Sequence, residues 1–62
     1  MSTLRHIEAF LRRTGMAPTR FGREAARDPR LVFDLRRGRE PTDRMQRRIE
    51  HFMNIYDAGG AR

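Results

Sequence analysis

No cysteine occurs among the 62 residues, so neither a disulfide nor a thiolate metal site is available. A chain this short buries roughly 60% of the surface its unfolded form exposes. Its core must therefore come from helix packing or from association with a second copy. His6 and His51 are the only histidines, with no H-x-x-x-H pair and no acidic cluster beside them, so no metal is expected. Ser2 is the only serine, and no nucleophile–base arrangement can be drawn around it. Glycines inside the domain occur singly, which leaves no phosphate-cradling loop. The expectation is a protein that is not an enzyme, with no cofactor and no small-molecule ligand. No apolar run approaches the ~20 residues of a membrane span, and the start of the chain has no signal-peptide apolar region. No membrane partner is expected, and the expected compartment is the cytoplasm, with nucleoid association if the source is bacterial or phage.

Lysine is missing as well: all fourteen basic residues are arginine. A GC-rich coding bias explains that most simply, although arginine also suits bidentate phosphate and guanine contacts. The net charge is +6, and its distribution tells more than its size. Residues 20–48 hold ten arginines against five acids, a local balance of +5, while residues 1–19 add +2 and residues 49–62 add −1. Such concentration fits a polyanion-binding face, against the plainer reading of a generally basic surface.

Hydrophobic spacing divides the chain into four helices within a single domain, residues 1–62. The first covers about 3–14, capped by Ser2 or Thr3 and stopped by Gly15, with Leu4, Ile7, Phe10 and Leu11 as its apolar stripe. The second covers 18–25. It starts at Pro18 behind a poor capper, Ala17, with Met16 and Phe21 placed as a hydrophobic staple. The third covers 29–37, with Asp28 as cap, Pro29 at its first position and Gly38 as a left-handed stop. The last covers 43–57, capped by Thr42 or Asp43, with Asp43 and Gln46 close to a capping box. Residues 58–62 read as a flexible tail.

The centre of the chain is Pro18–Gly38, PTRFGREAARDPRLVFDLRRG. Phe21 is followed by the small Gly22, whose missing side chain allows a close helix crossing. Ala25 follows three later, then a tight turn at Ala26. Val32 and Leu35 share a face of the next helix, and Leu35-Arg36-Arg37-Gly38 closes the unit with Pro41 nearby. This pattern resembles the helix-turn-helix of the phage-repressor and Cro class of DNA-binding domains. It departs from that class by placing Ala26 where glycine is usual and Arg27 where an apolar residue is usual. With its flanking helices the resemblance covers about residues 2–56.

The resemblance implies an all-α, four-helix, repressor-like domain that regulates transcription. It would insert its third helix into the major groove of double-stranded DNA, as a homodimer on a palindromic site. Leu31, Val32 and Leu35 are expected inside. Arg30, Phe33, Asp34 and Arg37 are expected on one outward face. Within that face Arg30, Phe33 and Asp34 are the candidates for base reading. Arg30 would bond guanine, Phe33 would cover a thymine methyl, and Asp34 would hold the Arg30 guanidinium in line. Thr19, Arg20 and Arg23 at the start of the second helix, with Arg36, Arg37 and Arg39 at the basic corner, are candidates for the DNA backbone. The apolar stripe Met45, Ile49, Phe52, Met53 and Tyr56 exceeds what one small core needs. Phe52, Met53 and Tyr56 are therefore the expected dimer contacts. Two other readings stay open. One is a protein-interaction adaptor or antitoxin-like module on the same fold, to which an exposed Phe33 is equally suited. The other is a non-specific RNA binder, disfavoured because the aromatic residues are few and four of the five look buried.

Overall fold

In the computed structural model, which describes residues 2–59, the chain is four helices: α1 Thr3–Thr14, α2 Pro18–Ala26, α3 Leu31–Arg36 and α4 Asp43–Asp57. No strand occurs among the described residues, and the fold is all-α. The expected tail falls outside the described residues from position 60 onward; Gly59, before it, takes a φ of 78°.

Local chemistry sets most helix ends. Ser2 caps α1, its hydroxyl oxygen accepting the Arg5 N–H at 3.2 Å. Gly15 stops the same helix at φ 73° and donates its N–H to the Leu11 carbonyl at 2.9 Å. Thr42 caps α4 by accepting the Met45 N–H at 3.2 Å. The expected capping box does not form: Gln46 lies one position too far and donates instead to the Pro41 carbonyl at 3.3 Å. Ala17 makes no side-chain cap, and α2 relies on Pro18 at its start.

The core gathers one face from each helix. Ile7, Phe21, Val32 and Ile49 are fully buried, and Phe10 and Leu31 nearly so. Phe10 is the hub, edge-on to Phe21 at 5.5 Å, to Phe52 at 6.1 Å and to Tyr56 at 5.2 Å. Edge-to-face pairs of this kind add to the area they bury. This cluster corrects the expectation of a surplus on α4. Met53 is buried, and Phe52 and Tyr56 pack half-buried against Phe10 and Phe21 within the same chain. A core of so few residues takes up most of the stripe: Ile49 and Met53 are buried and Met45, Phe52 and Tyr56 partly so, and the large apolar residue left outward on α4 is Ile55.

The corner between α2 and α3 differs from expectation in three respects. Ala26 does not turn; it is the last residue of α2 and is buried. The left-handed position is Arg27, at φ 55°, the one non-glycine residue with positive φ among those described. Ala26 stays helical because its methyl faces the core, and the reversal passes to the first residue that can point to solvent. The third helix starts late, at Leu31, because residues 28–30 form a turn of their own. There the Asp28 carboxylate accepts the Arg30 N–H at 3.0 Å, and the Asp28 carbonyl accepts the Leu31 N–H at 3.1 Å. Asp28 thus does cap-like bonding without standing next to the helix. The Asp28 N–H in turn donates to the Gly22 carbonyl at 3.0 Å. Here Gly22 is required, since a Cβ on it would overlap the Asp28 carbonyl oxygen and crowd the Leu31 Cβ at 3.1 Å.

The far end of α3 follows expectation, one residue early. Gly38 takes φ 110°. Its N–H reaches the Leu35 carbonyl and the Arg39 N–H reaches the Asp34 carbonyl, both at 3.1 Å, which is the Schellman pairing.

Candidate nucleic-acid interface

Helix α3 is short, six residues, and split cleanly. Leu31, Val32 and Leu35 face inward and are buried, while Arg30, Phe33 and Arg37 are exposed. Phe33 leaves 43% of its surface in solvent, the larger of the two exposed big apolar residues. The Arg36 guanidinium lies over its ring, 5.8 Å from the centroid. Helical spacing sets this outward row; the buried triplet on the other side holds it in register.

Carboxylates then sort the arginines into two groups. Arg36 is tied to α1 by a bidentate pair, its Nε donating to Glu8 at 2.7 Å and its Nη2 at 2.8 Å. That hydrogen bond is the main cause of a Glu8 pKa below the ordinary glutamate range and of a raised Arg36 pKa. Arg20 donates to Glu24 one turn on, at 2.6 Å, and its pKa rises for the same reason. Arg39 stands between two acids, 3.3 Å from Asp34 and 3.8 Å from Asp28. Arg13, outside the candidate set, donates to Asp57 at 2.6 Å and so links α1 to α4.

Two assignments change on this evidence of pairing. Asp34 does not orient Arg30; it is half-buried and holds Arg39, which the Schellman turn brings back alongside α3. Arg36 is directed at Glu8 rather than left for a ligand. Among the remaining candidates Thr19, Arg23, Arg30 and Arg37 are exposed and stand in no ion pair among the described residues.

A further set on α4 has no role in the sequence reading beyond the charge total. Arg44, Arg47, Arg48 and His51 lie at i, i+3, i+4 and i+7, with Ile55 a turn further on the same face, and all five are exposed. None of the three arginines is in an ion pair among the described residues. The signal was their spacing, which a charge sum over residues 20–48 averages away.

Other chemistry has little to work with. No three His, Cys, Asp or Glu side chains converge among the described residues. An open groove of about 300 Å³ between α1 and α4 is lined by His6, Phe10, Arg13, Glu50, Met53 and Asp57 and crossed by the Arg13–Asp57 pair. No helix among the described residues is long and apolar enough to cross a membrane.

No match was found. Neither protein-family models, nor curated proteins, nor solved structures gave a relative of this chain.

Proposed function

We propose that the chain binds double-stranded DNA and regulates transcription, with α2 and α3 acting as a helix-turn-helix and the outer face of α3 meeting base edges. The observation that carries this reading is Phe33, an exposed aromatic between two exposed and unpaired arginines on a helix whose other face is core. Burial of the part of the ring that Arg36 leaves uncovered would take further apolar surface out of water. Arginine supplies paired donors for guanine, and a ring covers a thymine methyl. Arg30 and Phe33 are the base-reading pair in this proposal. Thr19, Arg23 and Arg37 contact phosphates, and Arg39, steered by Asp28 and Asp34, stands behind them. A homodimer on a palindromic site belongs to the same proposal, with the partly exposed Phe52 and Tyr56 as its contacts on α4 and Met53 buried in the core.

A protein-binding adaptor is the second reading. It is favoured by the shortness of α3 and by Arg36 lying over Phe33, which presents the ring as an apolar anchor inside a charged rim.

Selection of bound fragments from random duplex DNA separates the two, with an enriched motif expected, palindromic for a dimer. Arg30→Ala should then cost ~1–3 kcal/mol of binding to the preferred site and relax the choice at one base pair per half-site. A featureless selected pool, or an Arg30→Ala loss equal on all sequences, moves the weight to the adaptor.

A further inference from the structure

We propose that the outward face of α4, built from Arg44, Arg47 and Arg48, is a second contact surface for the sugar-phosphate backbone of duplex DNA, separate from the face of α3. The proposal rests on duplex DNA being the ligand, but not on α3 reading bases.

Arg44, Arg47 and Arg48 bridge no two elements of the fold among the described residues. All three are exposed and no carboxylate among the described residues pairs with them, although Asp43 stands four positions before Arg47 and Glu50 three after it. Arg20, Arg36 and Arg39, by contrast, each have an acid partner. Arg44 and Arg48 are four apart, a like-charge spacing that disfavours a helix. Arg44 also falls in the first turn of α4, where the helix dipole disfavours a cation. Both costs fall on one stretch of helix, and no ion pair among the described residues holds these guanidinium groups. A polyanion laid along the face removes both.

Charge and shape select the occupant. Arg44 and Arg48 are one turn apart, about 6 Å along the axis at 1.5 Å per residue. That repeat suits a backbone carrying phosphates every few ångströms. A lipid surface would ask for an apolar face to insert, and the apolar face of α4 is largely spent on Phe10 and Phe21, with Ile55 alone left outside. An acidic protein partner would call for an apolar centre to the interface, which this row of guanidinium groups lacks. Phosphate contacts need no such centre.

The test compares four proteins on random-sequence duplex DNA between 50 and 300 mM NaCl: wild type, Arg44→Gln/Arg47→Gln/Arg48→Gln, the matching triple Lys variant, and Arg30→Ala. Loss of three phosphate contacts per bound protomer should reduce the slope of log affinity against log salt by ~2.7 for each protomer on the duplex. The Lys variant should keep most of that slope, and Arg30→Ala should change it by about one contact or less. The Gln variant should melt close to wild type, because the Arg44–Arg48 repulsion it removes is offset by the lost attraction of Arg47 to Asp43 and Glu50. An unchanged slope in the Gln variant overturns the proposal, and base reading survives if Arg30→Ala has lost site preference when the fragment selection is repeated with it. A reduced slope in a protein with no sequence preference supports the α4 surface and removes base reading. A clear drop in melting temperature for the Gln variant assigns the arginines to the fold and overturns the proposal. So does a wild type that binds no duplex at any salt, which ends the α3 reading as well.

Discussion

Two left-handed corners bracket α3, and they are built on opposite principles. The corner before it is crowded. Arg27 carries the positive φ, the Asp28 carbonyl lies against Gly22, and Leu31 closes the space beneath. The corner after it is open. Gly38 carries a positive φ, and a Cβ built on it would meet nothing within 4 Å. The first corner fixes how α3 crosses α2 through steric contact. The second only reverses the chain and satisfies the last carbonyls. A substitution in the first should therefore move α3, while one in the second should strain the backbone and leave the helix where it is.

The strongest break comes at Gly22. Gly22→Ala puts a methyl group into the Asp28 carbonyl, which is hydrogen-bonded on to Leu31 and cannot step aside freely. A loss of ~1–3 kcal/mol is expected, as for overpacking elsewhere. In a domain this small it should be plain in urea denaturation followed by circular dichroism. DNA binding should fall with it, because α3 can relax only by tilting. An alanine variant with wild-type stability would mean that the two helices are not in contact at Gly22.

At Gly38 the cost is conformational alone. Gly38→Val should destabilise by ~1 kcal/mol, less than Gly22→Ala, through backbone strain at positive φ. Arg27 sharpens the comparison. It already accepts left-handed strain, so Arg27→Gly trades relief of that strain against a more flexible unfolded chain. The net should lie between no change and ~1 kcal/mol of added stability. Thermal melts of the two variants side by side measure the difference. A clear loss for Arg27→Gly would show that its side chain, rather than its backbone, stabilises the corner.

The same contrast explains what could be read without coordinates. The four helices and most of their ends were legible because apolar spacing, Ser2, Gly15, Pro18 and Thr42 each act within one turn of chain. Gly38 was legible because a glycine three past Leu35 is the ordinary way to end a helix. The turn at Arg27 was not, since no propensity marks an arginine as left-handed. It takes that conformation only because Ala26 is claimed by the core. The α4 stripe misled for a related reason. Counting Phe52, Met53 and Tyr56 as surplus assumed that the other helices could fill a core alone, yet Phe10 needs Phe52 and Tyr56 around it. Of the candidate site, the exposure of Arg30, Phe33 and Arg37 follows from helical period. The partners of Asp34, Arg36 and Arg39 do not, because each depends on how the chain returns: Arg36 meets Glu8 across 28 residues of sequence.

That last pair gives the smallest effect and the most selective one. Arg36 stands at the end of α3 next to the open corner, and its bond to Glu8 ties that end to α1. Nothing comparable is needed at the crowded corner, which packing already holds. Since the Glu8 pKa is lowered on folding, chiefly by the Arg36 hydrogen bond, the pair stabilises the fold above the ordinary glutamate range. That contribution fades as the pH falls through the depressed folded value. Arg36 is exposed and Glu8 partly so, and the contribution is therefore a fraction of the Gly38 effect and weakens further with salt. Glu8→Gln should accordingly melt slightly below wild type at pH 7, and the two curves should converge as the pH falls through the depressed Glu8 value. Amide exchange at residues 35–39 should quicken in Glu8→Gln at neutral pH while residues 22–28 keep wild-type protection. An equal response at both corners would mean that α3 moves as one piece, and that the packing at Gly22 does not hold its near end independently of the ion pair at its far end.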